Sequence, residues 1–132
     1  MKDILFLIGS ESDRKLIEPA IDLIKEKQFS YTLKAISAHR NLAELLEYLK
    51  NNSKSFRVII AAAGLSAALP GIVASQTKVP VIGVPLSVGE LSGIDALLSM
   101  LQLPKGVPMA TMGIGIQGLL NAVYFAERII SH

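Results

Sequence analysis

His39 carries the side chain of this sequence that is best suited to proton transfer near neutral pH. An unperturbed imidazole titrates in that range, and the other histidine, His132, is the last residue. The chain has no cysteine, which excludes thiol nucleophiles, zinc–thiolate sites and disulfides. Taken alone, a single histidine at this position is also compatible with a structural role. Arg40 beside it is equally compatible with a solvated residue at the start of a helix.

Residues 9–13 combine a glycine, serine hydroxyls and a carboxylate in one short segment. Serine hydroxyls and free backbone amides at such a turn bind anions, and Asp13 suits a ribose hydroxyl. The spacing of Ser10 and Asp13 also fits a helix-capping pattern, in which Ser12 is a second candidate cap. Both interpretations stay open at this point.

Residues 63–71 are nearly all small, which allows the backbone to approach a ligand closely. Tight packing of a helix on a sheet explains the same composition. The connection formed by residues 85–93 contains Gly89 and Gly93 and is predicted to be a mobile cover. An ordinary surface connection fits that segment as well.

Apolar runs alternate with helical periodicity along the whole chain, which predicts an α/β fold with a parallel sheet covered by helices on both faces. The predicted strands are residues 4–8, 31–36, 58–62, 79–84 and 109–114. The predicted helices are residues 16–24, kinked at Pro19, and residues 42–49, 94–101 and 118–130. With no linker or repeat, residues 1–132 are expected to form one domain. Ligands bind where the strands of such sheets end, and all three polar or small segments follow a predicted strand.

Composition restricts the functional classes. Hydrophobic residues make up 51% of the chain and the mean hydropathy is +0.47, yet no apolar run reaches the roughly 18 residues of a membrane span. No signal sequence precedes the first strand, so we expect a cytoplasmic homo-oligomer that buries apolar stretches such as residues 97–103 between subunits. A net charge of +2, scattered Lys and Arg, and 5% aromatic residues argue against nucleic-acid binding.

Motifs for nucleotide phosphates and for metals are weak or absent. Gly113, Gly115 and Gly118 match the spacing G-x-G-x-x-G, but they follow the last predicted strand and the chain ends soon after an acidic partner would be due. No P-loop is present. The few carboxylates do not cluster with a histidine at metal-ligand spacing.

Several short stretches, each weak alone, follow one another in a fixed order. They are Gly9-Ser10-x-Ser12-Asp13, Ser37-Ala38-His39-Arg40, Leu69-Pro70-Gly71, Val79-Pro80-Val81-Ile82-Gly83-Val84-Pro85, Leu91-Ser92-Gly93-x-Asp95-x-Leu97-Leu98-Ser99, Gln102-x-Pro104-x-Gly106-x-Pro108 and Asn121-Ala122. Together they span nearly the whole chain. Through this ordered set of stretches the sequence resembles the carboxyaminoimidazole ribonucleotide mutase / aminoimidazole ribonucleotide carboxylase family of purine biosynthesis.

The resemblance implies a flavodoxin-like, three-layer α/β/α domain with a five-stranded parallel sheet. It implies a homo-octamer that acts on a ribonucleotide substrate without metal or organic cofactor. In mutases of this family a carboxyl moves from the exocyclic nitrogen of the aminoimidazole to a ring carbon, and the family's histidine, here His39, removes the proton of that carbon. The implied phosphate ligands are Ser10, Ser12, Ser37 and Arg40, and Asp13 would bind the ribose. The remaining implied substrate contacts are Gly9, Ala38, Gly64, Ser66, Ala67, Ala68 and Leu69.

The third segment departs from the mutase pattern. Mutases normally have a second histidine at the position of Ala68. Carboxylases, which use free carbon dioxide, have serine and alanine at the positions of Ser66 and Ala68, but lysine at Arg40 and arginine at Leu65. The sequence therefore predicts a mutase, with a direct carboxylase or a non-catalytic nucleotide-binding relative as alternatives.

Overall fold

The computed structural model describes residues 1–132 and contains one five-stranded sheet. The strands are β1 (Lys2–Ile8), β2 (Tyr31–Ala35), β3 (Phe56–Ala63), β4 (Val81–Pro85) and β5 (Ala110–Thr111). They lie in the order β2-β1-β3-β4-β5, and every neighbouring pair is parallel. This is the strand order of the flavodoxin-like fold, so the predicted fold class is confirmed.

Five helices form the two outer layers. They are α1 (Glu18–Glu26), α2 (Leu42–Asn52), α3 (Ala68–Ser75), α4 (Ile94–Leu101) and α5 (Gly115–Ile130). Helices α1 and α5 pack on one face of the sheet, and α2, α3 and α4 pack on the other.

The central position of strand β1 in the sheet explains why its sequence is an uninterrupted apolar run. Ile4, Phe6 and Ile8 point into the core beneath α1 and α5, whereas Leu5 and Leu7 point into the core beneath α2 and α3. All of them are fully buried. A parallel strand covered on both faces has no solvent side, and each such side chain stabilises the fold by roughly 1.5–3 kcal/mol.

The prediction of a kinked helix over residues 16–24 is wrong in its first turn. Helix α1 begins at Glu18, and Pro19 lies in its first turn instead of interrupting it. The first amides of a helix have no acceptor within the helix, so the missing N–H of proline costs nothing there. Ile17 lies before the helix and is still fully buried.

The predicted strand over residues 109–114 is too long, because β5 contains only Ala110 and Thr111. This edge strand pairs with β4 alone. Gly113 and Gly115 have φ angles of 119° and 73°, which turn the backbone out of the extended conformation. Helix α5 consequently begins at Gly115, earlier than the predicted residue 118.

The second half of the small-residue segment is helical, which the sequence did not predict. Helix α3 begins at Ala68, and Pro70 is accommodated in its first turn. The other differences are in element ends. Strand β3 is longer than predicted, and β4 begins after Pro80, whose carbonyl accepts a hydrogen bond from the Ile59 amide at 2.9 Å.

The carboxyl ends of β1, β2, β3 and β4 share one edge of the sheet. The Ile36 amide donates to the Ile8 carbonyl at 2.9 Å, which ties the loop after β2 to the end of β1. The Leu86 amide donates to the Ala63 carbonyl at 3.0 Å, which ties the loop after β4 to the end of β3. The order in which successive strands are added to the sheet reverses between β1 and β3, and folds of this strand order bind ligands at that point. None of the helices has the length and apolarity that crossing a bilayer requires.

Candidate active site

A cavity of about 230 Å³ opens at this edge of the sheet. Its walls come from the loops after β1, β2 and β3, with one side chain from the loop after β4. The lining residues are Gly9, Ser10, Ser12, Asp13, Ser37, Ala38, His39, Ala63, Gly64, Leu65, Ser66, Ala67, Ala68, Leu69 and Val88. Every residue predicted for the site lies in this lining except Arg40.

The loop after β1 brings serine hydroxyls and a carboxylate to the cavity. The Ser10 side chain caps the short 3-10 turn Glu11–Asp13 by accepting a hydrogen bond from the Ser12 amide at 3.2 Å. The Ser10 and Ser12 hydroxyls lie 2.9 Å apart. Glu11 pairs with Arg14 at 2.8 Å on the exposed side of the turn. Ser10 therefore caps the turn and lines the cavity at once, so the capping interpretation and the binding interpretation are compatible.

Asp13 is the half-buried carboxylate of this loop. Desolvation by the surrounding protein raises its pKa above the usual value of 3.8. Its carboxylate takes part in none of the hydrogen bonds of the turn, which join Ser10 to Ser12 and Glu11 to Arg14. A partly desolvated acceptor without a donor is well placed for a ligand hydroxyl.

The loop after β2 presents His39 beside Ser37. The Ser37 hydroxyl accepts a hydrogen bond from the Arg40 amide at 3.1 Å, and the Ser37 carbonyl accepts one from the Asn41 amide at 2.9 Å. These bonds fold residues 37–40 into a tight turn. Ala38 is buried by this turn and His39 is exposed at the cavity. The Arg40 side chain is also exposed, but it lies outside the lining.

The loop after β3 supplies most of the uncharged wall. Ala67 and Leu69 are buried in the core beneath α2, α3 and α4, so tight packing accounts for part of this segment. Gly64 and Ser66 are not buried and face the cavity. One part of the segment is thus packed in the core and another part lines the cavity, which is compatible with both interpretations of its composition.

Ala63, Leu65 and Val88 complete the lining, and none of them is among the individual residues predicted for the site. The backbone at Leu65 is left-handed, with φ of 57°, and nothing local in the chain requires that conformation. The contact of Val88 with the cavity depends on how two distant loops pack. Leu65 lies in segment 63–71 and Val88 in segment 85–93, both noted in the sequence, but no local signal distinguishes either residue from its neighbours.

A larger groove of about 1530 Å³ lies at the opposite, amino end of the strands. It is lined by the ends of α2, α3 and α5 and includes Lys50, Lys54, Lys78 and Glu47. It contains no histidine and none of the predicted site residues. This groove is larger, but we do not take it as the candidate active site. The histidine and the group of serine hydroxyls line the smaller cavity instead.

No group of three or more His, Asp or Glu side chains is arranged to hold a metal ion. The spacing of Gly113, Gly115 and Gly118 has a structural explanation instead. A Cβ on Gly118 would overlap the Gly113 carbonyl, so this glycine lets the start of α5 pack against the preceding loop.

Comparison with known proteins identifies the family of this chain. The family model described as AIR carboxylase matches residues 3–132. The chain is 41% identical to the N5-carboxyaminoimidazole ribonucleotide mutase of Haemophilus influenzae, covering 97% of this chain and 79% of the relative. It is 45% identical to the protein of the same name from Mycobacterium leprae, covering 94% and 72%.

The fold is also similar to a solved structure. The crystal structure of Treponema denticola PurE superimposes with a TM-score of 0.85 at 28% identity, covering 97% of this chain and 79% of that chain. Fold and sequence thus point to the same group of proteins. The match of the family model over nearly the whole sequence shows that the chain belongs to the AIR carboxylase family.

Proposed function

We propose that this chain catalyses the carboxyl shift of de novo purine biosynthesis as a mutase, with His39 as the general acid and base. The substrate is an aminoimidazole ribonucleotide with a carboxyl on its exocyclic nitrogen, and the product carries that carboxyl on ring carbon C4. Relatives 41% and 45% identical to the chain bear the name of this activity. The observation that carries the role of His39 is its place in the lining, where it is the only imidazole and where Asp13 is the only carboxylate.

The chemistry requires one proton to leave a carbon and one to reach a nitrogen. When the N–carboxyl bond breaks, carbon dioxide is released and the nitrogen takes up a proton. When C4 attacks that carbon dioxide, a C–C bond forms and C4 loses its hydrogen as a proton. An imidazole can accept the proton from carbon and deliver one to nitrogen, so the two steps balance without a redox change.

The other lining residues suit a phosphorylated ribose. The hydroxyls of Ser10, Ser12 and Ser37 are the hydrogen-bond donors near the cavity that match phosphate oxygens. Asp13, with its unpaired carboxylate, is the proposed ligand of a ribose hydroxyl. Arg40 lies outside the lining, next to His39 in the chain, and its proposed role is to contribute positive charge to phosphate binding.

The uncharged contacts form the rest of the proposed site. Most of these residues are glycine or alanine, which lets the ribonucleotide approach the backbone closely. The residues assigned to this role are Gly9, Ala38, Gly64, Ser66, Ala67, Ala68 and Leu69.

A direct carboxylase is the second candidate, and Ala68 is the observation that favours it. The residue lines the cavity where the resemblance places a second histidine in mutases. The two reactions differ in the source of the carboxyl. A mutase consumes the carboxylated amine at low bicarbonate, whereas a carboxylase needs added carbon dioxide and leaves the carboxylated amine unchanged.

The test supplies the purified protein with the carboxylated amine at low bicarbonate and follows formation of the C4-carboxylated product. We expect turnover in the wild-type protein and loss of at least about a hundredfold in His39→Asn, the scale of a missing general acid–base group. Asparagine is close to histidine in size, so the circular dichroism spectrum should not change.

His132→Asn is the matched control, since it makes the same substitution at the exposed last residue. Its rate should equal that of the wild type. A near-normal rate in His39→Asn would remove His39 from the mechanism. Stabilisation of the protein by the ribonucleotide without any product would instead identify a non-catalytic relative.

We further propose that the enzyme is a homo-oligomer, with an octamer as the expected form. Helix α4 and the turn before it carry a stripe of exposed side chains: Leu91, Ile94, Leu98 and Leu101 are 57%, 53%, 57% and 53% exposed. The three helical residues have a spacing that places them on one side of α4. A continuous apolar stripe of this kind is typical of a protein–protein contact, and a second copy of the chain is the partner expected here.

A further inference from the structure

The large groove at the amino end of the strands has no part in the proposed reaction, which takes place at the other end of the sheet. Its volume is about 1530 Å³. Sites for small molecules usually have volumes of roughly 300–1,000 Å³. The groove therefore has room for more than a small molecule, and a segment of polypeptide is an occupant of suitable size.

The floor of this groove is apolar and incompletely covered. Val79, Met109, Phe125 and Ile129 line it, and each of these side chains is only partly buried. Val79 and Met109 pack against the core beneath α2, α3 and α4, whereas Phe125 and Ile129 pack against the core beneath α1 and α5. The floor thus crosses the end of the sheet from one core to the other. Exposed apolar surface with a polar rim is typical of a protein–protein contact.

The rim of the groove is positively charged. Lys50, Lys54 and Lys78 are exposed side chains of the lining, and Glu47 is the only carboxylate there. The three ion pairs of the chain involve none of these lysines. The groove therefore offers more positive than negative charge to a ligand.

Helix ends explain only one of these lysines. Lys50 lies in the last turn of α2, where a cation interacts favourably with the free carbonyls of the helix. Lys54 and Lys78 follow the ends of α2 and α3, at Asn52 and Ser75, beyond the turn within which that interaction acts. Two unpaired lysines beside an apolar floor are thus left without a role in the fold.

We propose that this groove binds a short acidic segment of another protein, one that also carries apolar side chains. The apolar side chains of the segment pack on the floor, and its carboxylates pair with Lys54 and Lys78. The side-chain amides of Asn51 and Gln76, which also line the groove, can bond to its peptide groups. This interaction goes beyond the proposed reaction, because it attaches a partner at the end of the sheet away from His39.

The lining favours a peptide over a nucleic acid. Proteins that bind single strands stack successive bases on aromatic side chains. Phe125 is the only aromatic residue in the lining, and no arginine is present there. The positive charge is consequently better matched by carboxylates than by a chain of nucleotides.

The test selects peptides from a random library displayed on phage, with the purified wild-type protein as the target. Enriched peptides are synthesised with a fluorescent label, and their dissociation constants are measured by anisotropy. We expect the enriched sequences to combine Asp or Glu with large apolar residues. Their affinity should fall as the salt concentration rises, because salt screens exposed charges.

The double variant Lys54→Glu with Lys78→Glu locates the binding site. It replaces two attractive contacts by repulsive ones, so the dissociation constant should rise by at least about tenfold. Lys15→Glu with Lys25→Glu is the matched control, since it makes the same change in net charge at exposed residues outside the groove. That control should bind the peptides as the wild type does. Both double variants should keep the circular dichroism spectrum and the turnover rate of the wild type.

Three results would overturn the proposal. The first is a selection that enriches no acidic peptides, or peptides that bind the Lys54/Lys78 variant as tightly as the wild type. The second is a single-stranded RNA that displaces the peptides and depends on the same two lysines, since the groove would then be a nucleic-acid site. The third is a smaller assembly of the Lys54/Lys78 variant in sedimentation, which would show that a second copy of the chain occupies the groove. None of these results bears on the proposed function, which the turnover assay tests separately.

Discussion

Asp13, the proposed ligand of a ribose hydroxyl, lowers the stability of the ligand-free protein at neutral pH. Its carboxylate is half buried beside serine hydroxyls, and desolvation raises its pKa above 3.8. A raised pKa means that the folded protein binds this proton more tightly than the unfolded chain does. Stability therefore falls as the pH rises from the unfolded pKa through the folded pKa. At neutral pH the ionised carboxylate destabilises the free enzyme, and a ribose hydroxyl would relieve that cost.

We predict that Asp13→Asn stabilises the ligand-free protein at pH 7 by about 0.5 kcal/mol, a small value because solvent still screens the carboxylate. Below the usual aspartate pKa of 3.8 both proteins are neutral at this position, and the difference should vanish. Urea unfolding at the two pH values measures it. An equal gain in the free energy of unfolding at both pH values would show that ionisation of Asp13 is not the cause of the stabilisation. Turnover by the variant should fall at pH 7.

Among the secondary-structure elements, the junction of β5 and α5 is governed by the close approach of two glycines. Gly118 is buried in the first turn of α5, and a Cβ there would overlap the backbone of Gly113. Backbone cannot move aside as the end of a flexible side chain can. The G-x-G-x-x-G spacing therefore serves the packing of this helix.

We predict that Gly118→Ala destabilises the protein by about 1–3 kcal/mol, the usual range for overpacking. Gly9→Ala is the control, since no heavy atom lies within 4 Å of a Cβ at Gly9 and its φ angle is not positive. The free energy of unfolding from denaturant titration should change little in that control. A Gly118→Ala protein as stable as the wild type would show that the loop before α5 shifts freely.

On the scale of the whole molecule, the exposed stripe on α4 is the surface that a single chain leaves uncovered. The neighbouring residues Ala96 and Met100 are buried against the sheet, which fixes the rotation of the helix and leaves Leu98 and Leu101 pointing outward. Some of the many apolar side chains of this sequence are thus exposed together on the outer face of α4.

We predict that sedimentation velocity shows an assembly larger than the 14.1 kDa monomer at micromolar concentration. Leu98→Glu should shift the protein to smaller species, because it places an unpaired charge in the apolar contact. Gln28→Glu adds the same charge at an exposed turn away from α4 and should leave the mass unchanged. A stable wild-type monomer would contradict the assignment of α4 as an interface.

The sequence by itself determined the order of the five strands and of four of the five helices, and the three loops that bear the polar residues proposed for the site. The hydrophobic periodicity and the apolar content of a segment are local properties of the sequence. Because the carboxyl ends of parallel strands lie at one edge of the sheet, the sequence alone predicts that His39, Asp13 and Ser37 lie close together. The tertiary structure decided what depends on contacts between distant residues. Packing showed that Pro19 starts a helix, that β5 ends at Thr111, and that α3 begins inside the small-residue segment. Packing also brought Leu65 against the loop that contains Val88, where the end of the Leu65 side chain lies against Gly89, whose positive φ of 79° favours glycine. Such pairings across more than twenty residues have no signature in the local sequence.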